Sequence, residues 1–409
     1  KIPPRPIGYN KKIEMSLLPL VIAILVNFSM GAFYGWSVLV APLEESIGAS
    51  RSDISLAYSI AFISMTVGMF VTHSLLRIAS LPYLIFVVFT LAGLGSALAG
   101  YFEALWSLII GYGILFGFAV GVAYFLAMTA ASLNLPIRRS VALSMNMSAF
   151  AGGGLVWPPI FAMIIDWQGP HAVLLLFAVY LILVGSLGGL VMRAARPDAH
   201  PGTHEGGGLF SDILTDKPRV FILLWLGFIF IGFAALMSMG HAAGIVADFG
   251  IPAGQAYWGP MLTNLAYICG ALSAGIVCDW IGGRRVLIGL TALTAIPLFA
   301  LYFAPSAAVS LIALAVVGGA FGASASAYPV TVAGYYGVAN LPRVYGRMST
   351  AYGLAGLLGP LAAGLLYVWQ GGYDYAILIA GVLAVIGIAN MWALPKMKST
   401  APAAPAPAG

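Results

Sequence analysis

The chain has 409 residues, 61% of them hydrophobic and only 8% charged. A soluble domain averages about 25% charged residues, so this composition leaves too little polar surface to face water, and the bilayer must be its solvent. The net charge of +5 does not call for nucleic acid, because the placement of the basic residues accounts for it.

Twelve apolar segments near the roughly 20 residues that a membrane-crossing helix needs run over 16–41, 53–76, 81–100, 104–132, 141–165, 171–192, 219–247, 255–279, 285–303, 307–333, 345–369 and 373–394. The first run is too long for a cleavable signal and lacks a small-residue cleavage site. Because the chain opens on Lys1, a short preceding stretch is expected. The polar loops alternate between two sides. All of the 18 Lys and Arg except Arg51 fall on the side of the two termini. That bias places both termini in the cytoplasm, and the compact loops suit a bacterial inner membrane.

Arg193 to Lys217 is the longest polar stretch and splits the segments six and six. The organisation expected is a six-helix bundle over 1–192, a cytoplasmic linker over 193–218, a second six-helix bundle over 219–395 and a disordered Pro/Ala-rich tail over 396–409. The halves resemble each other at an offset of about 204 residues. Ala123-Tyr124, Asn134-Leu135-Pro136, Met147-Ser148 and Pro158 match Ala327-Tyr328, Asn340-Leu341-Pro342, Met348-Ser349 and Pro360. Paired six-helix repeats around a midplane cavity are a common transporter plan. The fold expected is all-α, twelve transmembrane helices in two pseudo-symmetric bundles. Gly113, Gly117 and Gly121 form a small-residue ridge for close helix packing. Cys269 and Cys278 share one segment and read as packing residues.

Between the eighth and ninth segments stands Gly275-Ile-Val-Cys-Asp279-Trp-Ile-Gly282-Gly-Arg284-Arg285. It resembles the G-x-x-x-D-x-x-G-[RK]-[RK] loop signature of the major facilitator superfamily. The first segment carries Gly31-Ala-Phe-Tyr34-Gly35-Trp36, and the fourth loop leads into Arg138-Arg139-Ser-Val-Ala142-Leu-Ser144-Met-Asn146-Met-Ser148. These two stretches are similar to elements of the monocarboxylate porters and of the oxalate/formate antiporters. The resemblance implies a small-carboxylate substrate and proton-coupled or exchange transport. It also implies a loop, Asp279 with Arg284 and Arg285, that steadies the outward-open state, with Arg138, Arg139 and Arg343 as partners across the halves. Such families place an arginine on the eighth helix, and oxalate exchangers add a lysine on the eleventh. Here those sites are about Ala271 and Tyr352. Without a cation, a dianion would be buried uncompensated, whereas a monoanion or a protonated weak acid can be held by hydroxyls, amides and helix dipoles.

The polar residues expected at mid-depth are Tyr34, Tyr124, Asn146, His241, Asn264, Tyr328 and Tyr352, on helices that line the cavity in the family this chain resembles. Each tyrosine has a plain alternative as a packing residue. His241 titrates near physiological pH and is the candidate for proton coupling. A different class of cargo, Cu(I), is suggested by Met237, Met239, His241 and Met261, since thioether and imidazole suit it; methionine as apolar filler is the plainer reading. No nucleophile elbow, P-loop or His/Cys cluster is present, so neither an enzyme nor an ATP-driven pump is expected, nor any cofactor. The reading is a monomeric, gradient-driven transporter of a small monocarboxylate. Its partners are the substrate, protons and the lipid bilayer, and proton symport is preferred over anion exchange.

Overall fold

The computed structural model describes residues 8–133, 139–194, 217–337 and 340–396. Among them, twelve helices are long and apolar enough to cross a membrane: α1 (Leu18–Gly35), α2 (Arg51–Ile78), α3 (Leu81–Tyr101), α4 (Leu105–Ala131), α5 (Met145–Gln168), α6 (Pro170–Arg193), α7 (Pro218–Gly240), α8 (Ala253–Ile281), α9 (Gly283–Phe303), α10 (Ala307–Tyr336), α11 (Arg343–Gln370) and α12 (Asp374–Trp392). Twelve crossings put both ends of the described chain on one side, called here the terminus side; the opposite side is the far side. The linker and the tail lie largely outside the described residues.

Two bundles of six form, and they pair their helices in the same way. In the first bundle α1 packs on α4 and α5, α2 on α4, and α3 on α6. In the second, α7 packs on α10 and α11, α8 on α10, and α9 on α12. Small residues permit this closeness. Gly113, Gly117 and Gly121 of α4 lie against Ala57, Ala61 and Met65 of α2, so the expected ridge is a packing face. Hydroxyls buried in lipid depth return to their own helix: Thr66 donates to the Phe62 carbonyl and Thr72 to that of Gly68, which removes the cost of an unpaired group. Large aromatic side chains, Trp106, Trp167, Trp280, Trp369 and Trp392, are exposed near helix ends, where amphipathic rings meet the membrane interface.

Three helices depart from the smooth spans expected. The first segment tightens into a 3-10 turn over Gly31–Gly35 before resuming as Ser37–Ile47. A Cβ on Gly31 would collide with the Phe150 carbonyl oxygen of α5, so the turn brings two backbones together. The seventh segment breaks after Gly240, and Ala242–Asp248 forms a separate short helix. The two breaks fall at equivalent places in the repeat. The third departure is a π-helical stretch over Ile109–Phe116 in α4.

The bundles meet through two helix pairs that the repeat exchanges, α2 with α11 and α5 with α8. Along α11, Gly364 abuts Ser55, Gly356 abuts Phe62 and Gly353 abuts Thr66, all on α2. Gly346, further toward the terminus side, has open space where a Cβ would be. On α8, Asn264 abuts Gly154 of α5, whereas Gly275 meets nothing. The halves are therefore closed together on the far side and splayed on the terminus side.

Candidate functional site

The splay leaves a cavity of about 400 Å³ between the bundles. From the first half it is lined by Tyr34 of α1, Met65, Met69 and Phe70 of α2, Tyr124, Phe125 and Met128 of α4, and Met147 and Phe150 of α5. The second half contributes Phe228 of α7, Tyr267 of α8, Phe321 and Ala325 of α10, and Tyr345, Gly346, Met348, Ser349 and Tyr352 of α11. Met65 with Tyr267, Met147 with Met348, and Phe150 with Tyr352 are mates about 200 residues apart in the repeat, so the same depth is lined from both sides. No Lys, Arg, His, Asp or Glu lines the cavity among the described residues.

Three of the expected residues, Tyr34, Tyr124 and Tyr352, stand in this wall. Tyr34 and Tyr352 join hydroxyls at 3.1 Å across the two halves, at the closed end. Phe150 stands edge-on between Tyr34 and Tyr124, with centroids at 5.1 and 5.4 Å. Tyr267, whose ring is 6.2 Å from that of Tyr34, was not singled out in the sequence, nor was Tyr345. The wall offers hydrogen bonds at tyrosine hydroxyls and is otherwise aromatic and thioether surface.

The other expected substrate residues lie away from the cavity. Tyr328 is buried behind Phe228, edge to ring at 4.8 Å. Asn146 is buried where α5 meets α1; its carbonyl accepts from the Asn27 amide at 3.0 Å, and its own side-chain atoms find no partner in the protein. Asn264 is buried at the contact of α5 with α8 and donates to the Pro260 carbonyl at 2.9 Å. Polarity at mid-depth marked these residues, but each is buried among helices outside the cavity wall.

His241 sits at the break after α7, within the far-side closure. Its Nε2 is 2.9 Å from the Pro360 carbonyl oxygen, and its Nδ1 is 2.9 Å from the Tyr373 hydroxyl. A carbonyl can only accept, so Nε2 carries the proton and Nδ1 accepts from Tyr373. Ser55 of α2 is also near, at 3.3 Å from Nε2. Both ring nitrogens are thus engaged. Met237 and Met239 are buried in packing, and Met261 is half-buried on α8, so the imidazole is not free to join them around a metal.

Arg51 completes the closure. It begins α2, just after the Ser50 cap that exchanges bonds with Asp53. Its guanidinium pairs with Glu44, donates to the Tyr373 hydroxyl at 2.7 Å and lies 4.1 Å above the Tyr367 ring. The result is a relay across the halves: Arg51 donates to Tyr373, Tyr373 to His241, and His241 to Pro360. The Tyr373 backbone amide is held by Asp248 at 3.0 Å. Arg51 was visible in the sequence as the exceptional cation, but its partners come from distant segments.

On the terminus side, Asp279, Arg284 and Arg285 form no ion pair among the described residues. Asp279 and Arg285 are exposed. Arg284 instead donates to the carbonyls of Trp392 and Leu394, at 2.7 and 2.8 Å, and so caps the end of α12. Gly282, at φ +85°, makes the tight link from α8 to α9, a conformation that favours glycine. Arg343 is exposed. Arg138 lies outside the described residues, and so does the Arg139 side chain.

The Major Facilitator Superfamily model matches over residues 21–243 and again over 224–408. The chain is 23% identical over 346 residues to the uncharacterised MFS-type transporter YhjX of Escherichia coli (strain K12), covering 83% of this chain and 85% of that one. It is 24% identical to the oxalate:formate antiporter of Oxalobacter formigenes, over 92% and 91% of the two chains. Against the human monocarboxylate transporter 11 the identity is 25%, over 75% and 67%. Among solved structures, a bacterial homologue of the human lysosomal transporter Spinster, in an inward-facing and occupied conformation, superposes with a TM-score of 0.72 at 14% identity, over 93% of this chain and 96% of that one. Two six-helix bundles around a shared cavity and the matched family model give one conclusion: this chain is a transporter, not an enzyme, and it belongs to the Major Facilitator Superfamily.

Proposed function

We propose that this protein moves a small monocarboxylate together with a proton, by alternating access of one cavity to the two sides of the membrane. The observation that carries the reading is the cavity itself: it lies between the halves, presents tyrosine hydroxyls and has no charged side chain among the described residues. Hydroxyls can hold a carboxyl group, and a proton that travels with it leaves no net charge to bury. The monocarboxylate and oxalate/formate activities in the relatives' names support the substrate class. The bias of Lys and Arg supports a cytoplasmic terminus side in a bacterial inner membrane. With that orientation the splayed state faces the cytoplasm.

His241 is the proposed coupling residue, acting through the far-side closure rather than through direct contact with substrate. A second proton would reach Nδ1, displace the Tyr373 donor and set an imidazolium beside Arg51. Glu44 and Asp248 are the acids of that cluster. The charge repulsion weakens the closure, so protonation and opening are linked. Copper transport through Met237 and His241 has less support, because both imidazole nitrogens are engaged. Uptake of labelled monocarboxylate into proteoliposomes tests the reading. An inward proton gradient is expected to drive it, and a protonophore to abolish it. His241→Gln is expected to keep uptake but flatten its pH profile; an unchanged rate and profile would remove His241 from the mechanism. Uptake that needs a counter-anion inside and ignores the proton gradient would establish exchange instead.

A further inference from the structure

Within the reading of a carboxylic-acid transporter, the wall of the cavity narrows the substrate. We propose that the preferred cargo is a monocarboxylic acid with a bulky apolar body, of the arylacetic or arylpropionic type, rather than a one- to three-carbon acid or a dicarboxylate. The volume is the first argument. A cavity of about 400 Å³ lies in the range of pockets that enclose ring-bearing ligands. A formate or acetate inside it would touch few walls and remain surrounded by water.

The chemistry of the wall is the second argument. Met65, Met69, Met128, Met147 and Met348 supply polarizable, unbranched surface on both halves. Such side chains adapt to irregular apolar bodies and make favourable contacts with ring edges. Phe228 and Phe321 of the second half and Phe150 of the first add aromatic surface, at which an aromatic body finds offset or edge-on partners. None of this surface serves an acid with no apolar body.

Tyrosine hydroxyls gather at one end of the cavity, and this gives the ligand an orientation; toward the other end Tyr345 and Ser349 are the hydroxyl-bearing residues of the wall. The hydroxyls of Tyr34 and Tyr352 meet at the closed end, with the Tyr267 ring 6.2 Å from that of Tyr34 and Tyr124 on the other side of Phe150. The carboxyl group is placed there, with the apolar body toward Met147 and Met348. Oxalate, with an acid at each end, would bring its second carboxyl group to a wall made mostly of thioethers and phenyl rings. Each unpaired polar group in such surroundings carries a desolvation cost.

The test is competition for uptake in proteoliposomes under an inward proton gradient. Labelled phenylacetate and labelled acetate serve as probes, with formate, oxalate, 3-phenylpropionate and phenylacetamide as competitors. The expected result is uptake of phenylacetate at a half-saturating concentration at least ten-fold below that of acetate. 3-Phenylpropionate competes; oxalate and the amide do not. Ala325→Leu, which shrinks the cavity without touching the tyrosines, is expected to weaken phenylacetate several-fold more than acetate. Saturable acetate, formate or oxalate uptake with no competition by the aryl acids would overturn this inference and leave carboxylate transport standing. Uptake of no acid of either size, in protein whose thermal melting shows it folded, would overturn both. Equal effects of Ala325→Leu on the two probes would also count against the apolar body as the selected feature.

Discussion

The hydroxyl pair of Tyr34 and Tyr352 is the closest polar contact between the halves inside the cavity. A neutral hydrogen bond is worth about 0.5–1.5 kcal/mol. If the pair holds the carboxyl end of the cargo, Tyr34→Phe and Tyr352→Phe each raise the half-saturating concentration by roughly three- to ten-fold at that strength. Both variants keep the ring contacts with Phe150 and Phe62, so thermal melting in detergent is expected to stay near the parent. Tyr34, Tyr124 and Tyr352 could be picked from the sequence because a tyrosine at mid-depth is conspicuous among apolar neighbours. The five cavity methionines and Tyr267 could not. In lipid each helix is apolar all round, so the 3.6-residue period that marks a buried face in a soluble protein is nearly erased. Asn146, Asn264 and Tyr328 show the converse: each is polar at the right depth but is buried among helices outside the cavity wall.

At the scale of elements, the closure made by the start of α2, the break after α7 and the link from α11 to α12 holds the far side shut. Arg51 is the residue through which the first half grips the second. Hydrogen bonds to charged groups contribute about 1.5–3 kcal/mol, and a guanidinium over a ring adds to that. Arg51→Ala is therefore expected to raise the far-side-open population by on the order of ten-fold. Spin labels at the exposed positions Glu45 and Gln370, one in each half, measure it as a longer inter-label distance. An unchanged distance distribution would mean that the helix contacts of α2 with α11 suffice. The helix count and the six-and-six division were legible because spanning lengths and loop charges are local properties. The breaks at Gly31–Gly35 and after Gly240 were not, since both arise where one backbone accommodates another element from far along the chain.

At the scale of the whole molecule, the structure shows one state of a cycle. The loop of Asp279, Arg284 and Arg285 is solvent-exposed or capping its own half, and forms no ion pair among the described residues. Its proposed role belongs to the opposite state, in which the terminus sides approach. Asp279→Asn is thus expected to leave the melting temperature within the narrow range of exposed substitutions while slowing uptake several-fold. A variant with parental uptake would show that this loop does not steady the other state. The composition of the cavity wall also has an electrical meaning. Carrying one elementary charge across the membrane changes its energy by about 2.3 kcal/mol per 100 mV. Because no Lys, Arg, His, Asp or Glu lines the cavity among the described residues, its lining carries no charge through the field when the unloaded halves rock back. In the proton-coupled cycle proposed above, a cargo that crosses with its proton would then accumulate to a limit set by the pH difference.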